Sequence, residues 1–185
     1  MSNKLVVIIM YLLFLTGCTG NPIKTKSVSV SAPVLVDGYL KSIKVDSDSS
    51  HNIKPSTRIC SAWSFQVDTS SIAESIENSL KSSFTNVGNS AMFEITVNVE
   101  QDLDLTVQKG FYNLTSEGEA EINASVTVRK DGKHFYRRTY NVSSDDDMGV
   151  LCSEAIVPLA KAVKKSTKKL VVQIVEDLER ESSRR

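Results

Sequence analysis

Three cysteines and two histidines are the most reactive side chains in this 185-residue chain. Cys18 follows a small-residue stretch, Leu15-Thr16-Gly17, at the end of an apolar run, LVVIIMYLLFL, over residues 5–15. A thiol placed there points to covalent modification at a processing site rather than to turnover. Cys60 and Cys152 form an even pair, which in an oxidising compartment suggests a disulfide; two buried thiols acting as small apolar groups are the other reading. No CxxC pair supports a metal or redox role for them. His51 and His134 have no local partner, and no GxSxG, SxxK, HExxH or GxxxxGK[ST] motif is present. The expectation is therefore that the chain is not an enzyme and has no catalytic or metal residues, with a triad assembled only by the fold left open.

The apolar run is eleven residues long. As a helix it would rise about 16 Å at about 1.5 Å per residue, against a hydrocarbon core of about 30 Å. It is too short to span well. With Lys4 before it and small residues after it, it has the layout of a secretory signal. Leu15-Thr16-Gly17-Cys18 resembles the bacterial lipoprotein lipobox, in which a peptidase cuts before the cysteine and the thiol carries diacylglycerol. That resemblance implies an N-acyl chain as well, and two or more chains anchor stably where one does not. Thr19, in place of an inner-membrane retention aspartate, implies the outer membrane with the domain facing the periplasm. No further cofactor is expected. An ordinary signal peptide with a chance cysteine is the alternative.

Lys plus Arg and Asp plus Glu both number 22. The domain is near neutral and carries no bulk electrostatic footprint for nucleic acid. Aromatics at 6% argue against a stacking platform. What charge there is lies in patterns. Lys161, Lys164, Lys165, Lys168 and Lys169 fall on one arc of the last predicted helix, opposite its apolar stripe. They read as a solvated face or as a contact for an anionic lipid, glycan or acidic partner. Tyr136, Arg138 and Tyr140 share one face of a predicted strand. Exposed, they suit a protein interface, because Tyr and Arg dominate hot spots; the plainer account is cross-strand packing with the arginine stem over the rings. Asp46, Asp48 and Ser50 alternate as in a calcium loop, but the glycine and closing glutamate are missing.

The elements that would hold these residues follow from periodicity. A polar tether over 19–26 leads to strands over 27–36 and 39–45, then an exposed loop over 46–57. Residues 58–67 read as a strand. Ser71 and Glu74 make a capping box for a helix striped by Ile72, Ile76, Leu80 and Phe84, ended by Gly88. Strict alternation predicts strands over 91–101, 102–114, 117–130 and 134–142, with Lys130-Asp131-Gly132-Lys133 as a hairpin turn and Gly110 as a bend. Asp145, Asp146 and Asp147 read as the N-terminus of a long helix striped by Ile156, Leu159, Val163, Leu170, Ile174 and Leu178. Pro158 should kink that helix or mark a second start, and 179–185 reads as a charged, frayed tail. The predicted class is α+β: a two-layer sandwich, an antiparallel or mixed sheet of about five strands with two helices packed on one face. It forms a single domain over 27–178, after a signal at 1–17 and a lipidated tether at 18–26.

The stretches SIAESIENSLKSSFTNV (71–87), EINASVTVRKDGKHFYRRTYNV (121–142) and SEAIVPLAKAVKKSTKKLVVQIVEDL (153–178) together resemble the YajG-type family of bacterial outer-membrane lipoproteins. The architecture is also similar to the LptE-type lipopolysaccharide-assembly lipoprotein and to the auxiliary lipoprotein of ABC-type lipid transporters. These resemblances imply a non-enzymatic accessory or docking subunit of a cell-envelope protein complex. The alternative they imply is a lipoprotein that binds or transports lipopolysaccharide, lipid or peptidoglycan. No site residue transfers from any of them.

Overall fold

The computed structural model describes residues 36–47, 51–67, 69–85, 91–109 and 114–184. The lipobox with Cys18, the tether, all but Val36 of the strand expected over 27–36, Gly88 and Gly110 lie outside them. The elements in order are β1 (Tyr39–Ser47), β2 (His51–Ile53), β3 (Phe65–Val67), α1 (Ser70–Ser82), β4 (Met92–Lys109), β5 (Leu114–Lys130), β6 (Lys133–Val150), a 3-10 turn (Cys152–Glu154) and α2 (Ile156–Ser183). The main sheet runs β1-β4-β5-β6. β1 lies parallel to β4, and the other pairs are antiparallel. β2 and β3 form a separate two-stranded ribbon. α1 packs over β1, α2 over β5 and β6, and the helices touch, so both cover one face. This is the expected α+β architecture, with a mixed sheet.

The three long strands arise from unbroken alternation. Phe93, Ile95, Val97, Val99, Leu105 and Val107 of β4 are buried, as are Ala120, Ile122, Ala124, Val126 and Val128 of β5. The two strands expected over 91–101 and 102–114 are one strand. Pairing with β5 continues from Phe93↔Lys130 to Lys109↔Leu114, straight through the polar Glu100-Gln101-Asp102. Gln101 and Leu103 keep the inward parity across that stretch, so the ladder has no reason to break. Asp131 and Gly132 turn the β5–β6 hairpin with φ of 51° and 75°, the left-handed pair that such a turn requires. The tip is fixed to β4: Asp131 N–H donates to the Met92 carbonyl at 2.8 Å. Met92 N–H donates back to Asp131 Oδ1 at 2.9 Å.

Several expectations are corrected. Asp145, Asp146 and Asp147 do not cap a helix; they lie inside β6, paired with Glu119, Gly118 and Glu117. Aspartate has low strand propensity, but β5 supplies a continuous template and α2 supplies cations. Residues 58–63 form turns, with Cys60 at φ 59°, and only Phe65–Val67 is strand. The loop expected over 46–57 contains β2. α1 begins at Ser70 with Thr69 as its N-cap, so Ser71 already lies inside the first turn and Glu74 beyond it, and the two do not form a capping box. Pro158 is the third residue of α2 and neither kinks nor restarts it, since the missing N–H there has no intrahelical acceptor. Residues 179–183 continue the helix.

α2 lies unusually close to β5. A Cβ built on Gly118 would stand 2.2 Å from the Leu159 backbone nitrogen. Ser116 Oγ donates to the Ala155 carbonyl at 2.7 Å, and Ser166 Oγ donates to the Ala120 carbonyl at 2.8 Å. Small residues at 116, 118 and 120 thus admit the helix backbone and tie it down.

Candidate functional site

The lysine arc and the Tyr-Arg row both belong to the seam between α2 and β6. β6 is an edge strand, and an edge leaves main-chain groups unpaired. Lys165 Nζ donates to the Asp145 carbonyl at 3.2 Å and to Asp146 Oδ2 at 2.5 Å. Lys169 Nζ donates to the Ser143 carbonyl at 2.8 Å. Lys161 lies 3.7 Å from Asp146 Oδ1. These three lysines, one turn apart, strap the helix to the strand and cover its exposed carbonyls. The Lys165 ammonium holds the Asp146 carboxyl below the ordinary carboxylate value, and Asp146 holds Lys165 above the ordinary lysine value. Lys164 and Lys168 are exposed and make no ion pair among the described residues. Lys165, Lys168, Lys169, Val172 and Gln173 line an open depression of about 390 Å³. Its walls are apolar because Val172 and the lysine stems supply them.

The Tyr-Arg row faces α2, not solvent, so the reading of an exposed interface is corrected. Tyr140 is 6% exposed, and its hydroxyl donates to Asp177 Oδ2 at 2.9 Å. Arg138 and Arg180 both pair with the Asp177 carboxylate. Arg138 also lies 3.7 Å from Glu181 and stands over the Tyr136 ring at 5.8 Å. Burial pushes the Tyr136 hydroxyl up to about 12 and raises Tyr140 too. A bulge between Val128 and Arg129 of the partner strand lets Phe135 turn inward as well. The sequence reading missed Asp177, although a signal was there: it lies between Ile174 and Leu178, inside the apolar arc of α2. A carboxylate in that arc needs a cation or hydroxyl facing it.

Cys60 and Cys152 are joined, with Cα atoms 5.4 Å apart across 92 residues of sequence. The bridge ties the turn before β3 to the start of α2. Among the described residues, no group of three or more His, Cys, Asp or Glu could hold a metal ion. His134 is exposed on β6. The buried hydroxyls of Ser75, Ser79, Ser83, Ser116 and Ser166 all donate to main-chain carbonyls. Among the described residues, no helix is long and apolar enough to cross a membrane.

No family model matches the sequence, and no curated protein matches it. Solved structures do. A Xanthomonas campestris protein of the DUF330 family is similar over 89% of this chain and all of its own, at 13% identity and a TM-score of 0.56. A minor lipoprotein from Acinetobacter baumannii is similar over 78% of this chain and 95% of its own, at 6% identity and a TM-score of 0.37. Rare lipoprotein B from Shewanella oneidensis is similar over 77% and 94%, at 9% identity and 0.31. The two lipoprotein likenesses are too loose to argue from. The first shows that this α+β fold is shared with the Xanthomonas protein.

Proposed function

We propose that the chain is a non-enzymatic lipoprotein, anchored through acylated Cys18 in the outer membrane with its domain in the periplasm. It serves there as an accessory or docking subunit of a cell-envelope protein complex, and kinship with the YajG-type lipoproteins is part of the same reading. One observation carries it: Leu15-Thr16-Gly17-Cys18 stands directly behind an apolar run too short to span a bilayer. The hydrogen bonds that the buried serines spend on main chain, and the buried Tyr140-Asp177 pair, support a scaffold rather than a reaction centre. Mass spectrometry of the mature N-terminus tests the anchor. An acylated Cys18 is expected, and Cys18→Ser should move the chain from the membrane to the soluble fraction. An intact Met1 and an unmodified thiol in the wild-type chain would refute it. Crosslinking of the anchored chain in membranes should then find a protein neighbour. The depression on α2 favours a second reading, a carrier or binder of lipopolysaccharide, lipid or peptidoglycan.

A further inference from the structure

The molecule is neutral in sum but polar across its thickness. The outward side of the first half of α2 carries Lys161, Lys164, Lys165, Lys168 and Lys169, all exposed, with Glu176 and Glu179 exposed only farther along the helix, and the one carboxylate paired with these lysines is Asp146. The other side of the molecule is the uncovered face of the sheet, and it is acidic. Asp104, Glu119 and Asp145 stand directly opposite one another on three adjacent strands, and Glu117 is paired with Asp147 in the next row. All five are exposed, and none has an ion-pair partner among the described residues. Like charges so placed oppose one another, and only Asp145 and Asp147, at the β6 rim, feel an opposing cation, Lys165. The two faces lie on opposite sides of the layers, so an anionic plane would attract one and repel the other.

We infer that the lysine side of α2 is the surface on which the domain rests against an anionic phospholipid leaflet, with headgroup phosphates seated in the depression lined by Lys165, Lys168 and Lys169. Lys165 and Lys169 are held in place by the Asp145 and Ser143 carbonyls. Lys168 is left to meet a phosphate, and Val172 gives the headgroup boundary an apolar contact. The acidic sheet face then points away from the membrane, toward whatever the domain docks. This goes beyond the anchoring reading and can fail without it.

The test is vesicle flotation of the full chain carrying Cys18→Ser, which removes the acylation site. Phosphatidylcholine vesicles set the baseline contributed by the apolar run at 5–15. Vesicles with about one third phosphatidylglycerol should bind the chain roughly tenfold or more above that baseline. The excess should vanish at about 1 M salt, where the screening length is about 3 Å. Lys164→Glu with Lys168→Glu should abolish the excess. Lys41→Glu with Lys44→Glu, an equal charge change on β1, should leave it within about twofold. Equal losses from both pairs would show a net-charge effect and overturn the inference. So would equal binding to neutral and anionic vesicles, or full competition by inorganic phosphate. Acylation of wild-type Cys18 is read separately and stands or falls by itself.

Discussion

The two ends of α2 are fastened to the same strand by opposite means. Toward its start, Lys161, Lys165 and Lys169 reach over the rim of β6 to Asp146 and to main-chain carbonyls, with ammonium groups in solvent. Toward its end, Asp177 is buried and takes Tyr140, Arg138 and Arg180. Both seams hold carboxylates against cations, yet they differ in what water can replace. An exposed ammonium released from Asp146 is resolvated at once, and such pairs contribute little. Asp177 stripped of its partners would remain a charge in the core. The first seam gives direction and covers an edge; the second specifies how the layers meet.

That contrast can be broken or sharpened by experiment. The largest effect is expected from the clamp that assists the weak end. Replacing Cys60 and Cys152 by serine opens a crosslink across 92 residues and should cost about 4 kcal/mol in loop-entropy terms, read as a lowered urea midpoint. Asp177→Ala comes next. It orphans a buried tyrosine hydroxyl and two half-exposed guanidinium groups, for a loss of about 2 kcal/mol after allowing for screening. Asp146→Ala should cost a small fraction of that, and comparable losses at the two sites would sink the distinction.

The smallest effect is a pH dependence of opposite sense at the two seams. Tyr136 and Tyr140 titrate higher in the folded chain than the ordinary 10.0. Their contribution is fully present below pH 10 and should drain away as pH rises through about 12 for Tyr136. Asp146 titrates below the ordinary 3.8, so its contribution is present above that value and fades as pH falls. Unfolding midpoints followed across pH should show Tyr136→Phe with Tyr140→Phe flattening only the alkaline limb, and Lys165→Met only the acid limb.

Much of the architecture was readable in the residues. Alternation located the inner faces of β4 and β5, and Asp131-Gly132 located the hairpin. The apolar stripe placed α2 against the sheet. What escaped was whatever a partner decides. The acidic segment over 143–147 becomes strand because β5 pairs with it and lysines of α2 face it, neither of which is local. Residues 58–63 alternate like a strand but are bent into turns beside a crosslink. The parallel pairing of β1 with β4 leaves no mark in either segment. For the candidate site, periodicity grouped Tyr136, Arg138 and Tyr140 correctly on one side. It could not say which side is inward, because tyrosine and arginine suit both a core margin and a surface. The lysine arc was visible as an arc, but not the division of labour within it.

The missing side chain at Gly118 has a mechanical consequence. With no Cβ, the strand offers a notch that receives the Leu159 backbone, and serine hydroxyls latch the helix on either side of it. A helix keyed in this way can neither roll nor slip by a turn without losing the notch and both latches together. The layers thus meet backbone to backbone at Gly118, whereas at the far end of the sheet the rings of Phe84, Phe93 and Phe135 stand between them.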